Sequence, residues 1–190
     1  MFRASSLTLI HDRLKSPMKR FKKITLFFFA LFVIGFLLPE RVRIPVAGAT
    51  TNDWNHNTYW FEPWGDSGVH KGVDIFGKKG AVVTSATDGI VIYTGRISTG
   101  GNVIVILGAK WRFHYYAHLN SIDTSMVRYV DAGEPIATLG NSGNAQNKPP
   151  HLHYSIVRLF PAPWAIDSAT QGYKKAFYID PDAYLKSVGS

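Results

Sequence analysis

Residues 151–159 read HLHYSIVRL, and the alternation within this stretch is the pattern from which the fold is deduced. Successive side chains of a β-strand point to opposite faces, so a strand here places His151 and His153 on one face and Leu152 on the other. Two imidazoles that share a face can hold a metal ion, and they can equally be two surface residues. The neighbouring segments must decide between these alternatives.

Short β-branched segments precede this stretch, and glycine-centred turns separate them. They are AVVTSA (81–86), GIVIYTGRI (89–97), NVIVIL (102–107), WRFHYYAHL (111–119) and EPIATLG (134–140). This spacing predicts an all-β, mainly antiparallel fold: a sheet, a sandwich or a barrel. Near the end, Asp180 as N-cap and Pro181 at the first helical position predict a short closing helix.

Charge is concentrated at the start of the chain of 190 residues, which has a formal net charge of +8. Residues 1–23 hold seven basic side chains and one acidic side chain, so the remaining 167 residues are almost balanced at +2. A nucleic-acid-binding domain needs its basic side chains on the folded body, so this distribution argues against one. The chain has no cysteine, so it forms no disulfide.

Residues 24–38, ITLFFFALFVIGFLL, form an uncharged segment directly after the basic leader. As a helix the segment spans about 22 Å, shorter than the ~30 Å hydrocarbon core of a bilayer. A basic start followed by such a run is typical of a secretory signal, and AGA at 47–49 resembles a cleavage site. We therefore expect a transmembrane anchor or a cleaved signal, with the body outside the cytoplasm. After cleavage the body would be secreted or periplasmic.

The chain thus divides into four predicted parts. They are a basic cytoplasmic leader (1–23), an anchor or signal segment (24–38), an aromatic-rich loop region (39–69) and a β-rich domain (70–190). The loop region concentrates tryptophan, tyrosine and phenylalanine between residues 54 and 64. These rings either cover the core or wall a binding groove.

Three histidine-containing motifs follow one another in the body: HKGVD (70–74), YYAHL (115–119) and HLHY (151–154). Two histidines and a carboxylate are a ligand set of catalytic zinc, which keeps a further position open for water. Zinc lowers the pKa of that water to about 7, which makes a nucleophile available at neutral pH. A peptide hydrolase also needs groups that move protons and stabilise the oxyanion, and the remaining histidines can serve there.

In this order the three motifs resemble the signature blocks of the lysostaphin-type zinc metallopeptidases, which cut peptides of the bacterial cell wall. The resemblance implies that His70, Asp74 and His153 bind one Zn²⁺ per chain and that His118 and His151 are catalytic. It also implies a hybrid-barrel type of β-sheet groove, peptidoglycan peptides as substrate and a place in the bacterial cell envelope. We expect the chain to be a monomer. An inactive, wall-binding or amidase-activating scaffold of the same fold is the alternative.

Two further residues are candidates for supporting roles. His114 and Tyr116 have the same strand parity as His118, which predicts that all three side chains share one face. His114 could then orient a catalytic histidine, and Tyr116 could donate a hydrogen bond to the substrate or simply pack in the core. His56 is interpreted as a loop residue.

Overall fold

The computed structural model describes residues 5–187, and of residues 5–19 it describes the backbone alone. The chain divides into two compact units, with the boundary between Leu38 and Pro39. The first unit contains one long helix, α1 (Ser5–Leu37), which includes almost all of the apolar segment. Within the described residues, no helix combines the length and the apolarity needed to cross a membrane.

The second unit is built mainly from antiparallel strands, as the sequence predicts. Its strands and closing helix are β1 (Val73–Phe76), β2 (Val82–Thr84), β3 (Gly89–Ile97), β4 (Gly101–Gly108), β5 (Arg112–Leu119), β6 (Ser121–Ile122), β7 (Tyr129–Val130), β8 (Pro135–Thr138), β9 (His151–Arg158), β10 (Tyr178–Ile179) and α2 (Pro181–Lys186). Short 3₁₀ turns connect them at 51–53, 65–67, 109–111, 143–145, 163–165 and 172–176.

These strands form two sheets. The larger has the order β1-β9-β5-β4-β3-β7, with β10 also paired to β9, and the smaller has the order β2-β8-β6. Every named pair is antiparallel. The all-β prediction is confirmed, whereas the finer assignment to a hybrid barrel stays a prediction.

The predicted alternation along β9 is present. Leu152, Tyr154 and Ile156 are fully buried in the hydrophobic core, together with Ile104 and Ile106 of β4. The side chains between them on β9 line a cleft on the other face of the sheet. A single strand therefore contributes both to the core and to the candidate site.

The C-terminal helix forms where the sequence predicts it. Asp180 caps α2, because its side chain accepts a hydrogen bond from the backbone N–H of Asp182, and Pro181 occupies the first turn. Asp182 in turn accepts from the indole Nε1–H of Trp54 at 2.8 Å and lies 2.7 Å from Nδ1 of His56. This buried carboxylate thereby ties the aromatic-rich segment to α2, and Trp54 covers the core.

Candidate metal centre and cleft

A cleft of about 1000 Å³ runs over the open face of the larger sheet. Its floor follows β5 and β9, where Ala117 is paired with His153, Tyr115 with Ser155 and Phe113 with Val157. Each successive pair lies about 7 Å further along the strands. The floor therefore leads from an imidazole-rich end to an apolar end.

The pairing of β1 with β9 brings the three predicted ligands together. Asp74 lies directly opposite His153, and His70 stands three residues before β1 begins. Nε2 of His70 lies 3.0 Å from Oδ1 of Asp74 and 3.1 Å from Nδ1 of His153. Nδ1 of His153 lies 2.9 Å from the same carboxylate oxygen. Three donor atoms, one from each residue, converge on a single point and could hold a metal ion.

The chemistry of these donors fits a zinc ion. The backbone carbonyl of Thr58 lies 3.0 Å from Nδ1 of His70, so Nδ1–H donates to it and Nε2 presents a lone pair. Burial raises the pKa of Asp74, but the close rings of His153 and His70 outweigh burial and hold the pKa well below the usual range. The carboxylate is therefore ionised, which is the form that binds a metal.

Two further histidines, His118 and His151, also present Nε2 to the cleft. Nδ1 of His118 lies 2.9 Å from the backbone carbonyl of Ser142, and Nδ1 of His151 lies 2.8 Å from that of Pro149. Each ring can therefore donate Nδ1–H to a carbonyl and leave Nε2 free to exchange a proton. Their ring centroids lie 5.0 Å apart. Burial, with smaller contributions from His153 and His151, lowers the pKa of His118 to about 4, so its ring is neutral at pH 7.

The prediction that His114, Tyr116 and His118 share a face is wrong. Between the pairs Ile104–Tyr116 and Asn102–Leu119, β4 contributes one residue and β5 contributes two, which is a β-bulge. His118 lies at this bulge with a left-handed φ of 63° and lines the cleft. The extra residue shifts the alternation of side chains by one position. His114 and Tyr116, which precede the bulge, therefore face the opposite side of the sheet from His118.

His114 and Tyr116 instead point into the core and are fully buried. Nδ1 of His114 lies 2.7 Å from the hydroxyl of Tyr154, while the hydroxyl of Tyr116 accepts from the backbone N–H of Ala86. Burial lowers the pKa of His114 to about 3. Both residues therefore contact groups of the core.

Two aromatic residues line the cleft for which the sequence analysis predicted no individual role in the site. Tyr115 lines the floor with its ring centroid 6.3 Å from that of His153, and burial raises its pKa to about 12. Trp64 lies at the cleft wall, stacked on His70. The aromatic-rich segment thus both covers the core and walls the cleft. Strand parity identifies Tyr115 only once the bulge is known.

Comparison with known proteins gives a family match over half of the chain. The model of Peptidase family M23 matches residues 68–166. The solved catalytic domain of lysostaphin from Staphylococcus simulans aligns with a TM-score of 0.56 and 26% identity, over 72% of this chain and 95% of that domain. The aligned structure is therefore nearly the whole of a peptidase domain.

Two curated relatives differ in the activity that their names state. The chain is 34% identical over 117 residues to the L-Ala--D-Glu endopeptidase of Bacillus subtilis (strain 168), covering 56% of this chain and 35% of the relative. It is 36% identical over 90 residues to the Murein hydrolase activator NlpD of Escherichia coli (strain K12), covering 47% and 23%. The matched region spans about a third or less of these two relatives.

Proposed function

Because the chain belongs to peptidase family M23, as its resemblance to the lysostaphin-type enzymes predicted, we propose that it is a zinc-dependent endopeptidase. Its substrates in this proposal are the stem or cross-link peptides of bacterial peptidoglycan. Residues 70–190 form the peptidase domain, which acts as a monomer with one Zn²⁺.

One observation carries the proposal: the five chemically active side chains are all present and grouped in one cleft. His70, Asp74 and His153 converge through one donor atom each. His118 and His151 lie beside this group with their Nε2 atoms free of backbone partners in the described structure. A ligand set together with two proton-transfer groups is what metal-assisted hydrolysis of a peptide requires.

In the proposed reaction, the metal and the cleft histidines have different roles. Zinc, when bound by His70, Asp74 and His153, supplies a Lewis acid that polarises the scissile carbonyl and lowers the pKa of an attacking water to about 7. His118 is neutral at pH 7 and can accept a proton at Nε2. Nε2 of His151 lies 3.9 Å from Oδ2 of Asp74, so this nitrogen stands next to the proposed metal site. His118 and His151 therefore share proton transfer and support of the oxyanion.

The floor of the cleft supports an extended peptide as substrate. Beyond the imidazole-rich end it presents Tyr115, then Phe113 and Val157, about 14 Å away along the strands. Lys148, whose side chain is exposed, lines the same cleft. An extended peptide with apolar side chains on one side of the scissile bond fits this surface.

A non-catalytic activator is the second candidate, and the identity with the murein hydrolase activator favours it. An activator needs the cleft only as a docking surface, so neither a metal nor proton-transfer groups are required of it. The complete set of five residues therefore supports the enzyme over the activator. The two candidates make different predictions for variants of these residues.

The experiment compares purified wild-type protein with His70→Ala, His118→Ala and His56→Ala. Zinc content is measured by mass spectrometry, and products are identified after incubation with defined wall peptides. We expect His70→Ala to lose zinc and activity, His118→Ala to keep zinc and lose activity, and His56→Ala to keep both. Wild-type protein that holds zinc and cleaves no wall peptide, but stimulates a wall amidase, would establish the activator instead.

Location in the cell envelope is part of the same proposal. It rests on the basic leader and the apolar segment at 24–38, acting either as an anchor or as a signal removed by cleavage. Fractionation of cells that express the chain with and without residues 1–38 tests it. Cytoplasmic accumulation of both forms would contradict it.

A further inference from the structure

One buried hydroxyl joins the two segments that supply the candidate metal ligands. Ser155, which is 4% exposed, has its Oγ 2.8 Å from the backbone carbonyl of Lys71 and 3.0 Å from Nε2 of His153. Lys71 directly follows His70 in the chain. Ser155 therefore connects β9 to the segment that leads into β1.

The direction of these two hydrogen bonds is determined by elementary chemistry. A carbonyl oxygen can only accept, so the single hydroxyl proton of Ser155 is donated to Lys71. Towards His153, Ser155 then offers only a lone pair. Nε2 of His153 must therefore carry the proton, which leaves Nδ1 deprotonated and facing Asp74 and His70.

We propose that Ser155 is a positioning residue that holds His153 in its Nε2–H tautomer and so keeps Nδ1 available to a metal. The inference rests on the proposed metal site. Without the hydroxyl, the competing tautomer with a proton on Nδ1 can donate to Asp74 across 2.9 Å, and that proton occupies the place of the metal.

Gly72 makes the approach of Ser155 possible. A Cβ atom at this position would lie 2.5 Å from Oγ of Ser155, 2.9 Å from Cε1 of His153 and 2.4 Å from the backbone oxygen of Tyr154. Any side chain would therefore push the hydroxyl and the imidazole away. The glycine in HKGVD thus leaves the space that the hydroxyl of Ser155 needs to donate to the carbonyl of Lys71.

The test uses Ser155→Ala, with Ser155→Thr as the conservative variant and Ser85→Ala as the matched control. Ser85 is also fully buried and donates to a backbone carbonyl, that of Thr87, but lies outside the cleft. Zinc affinity is measured by competition with a chromophoric chelator. The tautomer of His153 is measured separately, in metal-free protein, by ¹⁵N NMR of the imidazole nitrogens.

We expect Ser155→Ala to weaken zinc binding by about 10- to 100-fold, and Ser155→Thr and Ser85→Ala to keep it near the wild-type level. In metal-free protein, the fraction of the Nε2–H tautomer should be lower in Ser155→Ala than in wild type. Equal zinc affinity in Ser155→Ala and Ser85→Ala, or an unchanged tautomer, overturns the proposal. Wild-type protein that binds no zinc would refute the proposed function, and the tautomer comparison would still decide the role of Ser155.

Discussion

Trp64 lies flat against His70, with ring centroids 4.1 Å apart and ring planes inclined by 22°. The hydrogen bond from Nδ1 to the carbonyl of Thr58 restrains the same imidazole from its edge. A hydrogen bond and a stack together leave the ring little freedom to rotate. Trp64 therefore orients a candidate ligand without contributing a ligand atom.

Replacing Trp64 by alanine should weaken metal binding. Aromatic stacking contributes about 0.5–1.5 kcal/mol, so loss of this stack should raise the dissociation constant for zinc roughly 2- to 13-fold. Trp64→Phe keeps an aromatic face and should change it less. Chelator competition measures both variants, and equal affinity in Trp64→Ala and wild type would show that the stack does not restrain His70.

Replacing His151 by alanine should reduce turnover by about 10²- to 10⁴-fold, the usual contribution of general acid–base catalysis. Zinc content should stay at the wild-type level, because Nδ1 of His151 faces the carbonyl of Pro149 and Nε2 is 3.9 Å from the carboxylate of Asp74. Steady-state kinetics on a defined wall peptide, with zinc analysis of the same sample, separates the two effects. A variant that loses zinc would make His151 a ligand instead.

Removal of metal should destabilise the protein. A ligand that binds only the folded state at 100 times its dissociation constant adds about 2.7 kcal/mol to the free energy of unfolding. A strong chelator should therefore lower the melting temperature of wild-type protein. His70→Ala, which lacks one donor, serves as the control, and its melting temperature should not respond to the chelator.

Stability should fall in acid because His114 is buried in its neutral form. Its pKa is about 3 in the folded state and about 6.5 in an unfolded chain, so between these values only the unfolded state binds the proton. The free energy of unfolding should then decrease as pH falls from about 6.5 towards 3, by up to ~1.4 kcal/mol per pH unit.

The variant His114→Asn tests this dependence. Asparagine can keep a partner for the hydroxyl of Tyr154 but cannot titrate. His118, whose pKa is also lowered, contributes over the same pH range and remains in both proteins, so the difference in slope reports His114 alone. Urea unfolding at several pH values measures the slopes. Identical slopes would mean that His114 is not the titrating group.

Replacing Asp182 by alanine should leave the indole N–H of Trp54 buried without its acceptor. Such a loss costs about 1–3 kcal/mol of stability. The cost should be smaller when Trp54→Phe is already present, because phenylalanine has no N–H to satisfy. A double-mutant cycle by urea unfolding gives the coupling, and additive effects would exclude the bond as a source of stability.

The sequence predicts the parts of this fold that local patterns encode. Alternation along residues 151–158 places His151 and His153 on one face, and Asp180 with Pro181 predicts the start of α2. His114 was predicted on the wrong face of the sheet for a different reason. YYAHL contains no glycine or proline that would indicate a bulge at His118. The pairing with β4 determines that bulge, and pairing is not a local property.

The supporting residues of the site escape prediction for the same reason. Ser155 is an ordinary strand residue in sequence, and its role appears only when β9 lies beside the backbone of Lys71. Trp64 is one of several aromatic residues in its segment until the fold stacks it on His70. Motifs of a few letters identify the groups that react, whereas the groups that hold them come from distant segments.

The separation of His70 and His153 by 83 positions has a consequence for solubility. A metal shared by these residues would act as a removable cross-link between β9 and the segment that leads into β1, an edge strand of the larger sheet. If β1 detaches, part of β9 presents unpaired N–H and C=O groups, which are a template for pairing with another chain. Metal depletion would then promote aggregation as well as inactivity, and tight metal binding would protect the protein from self-association.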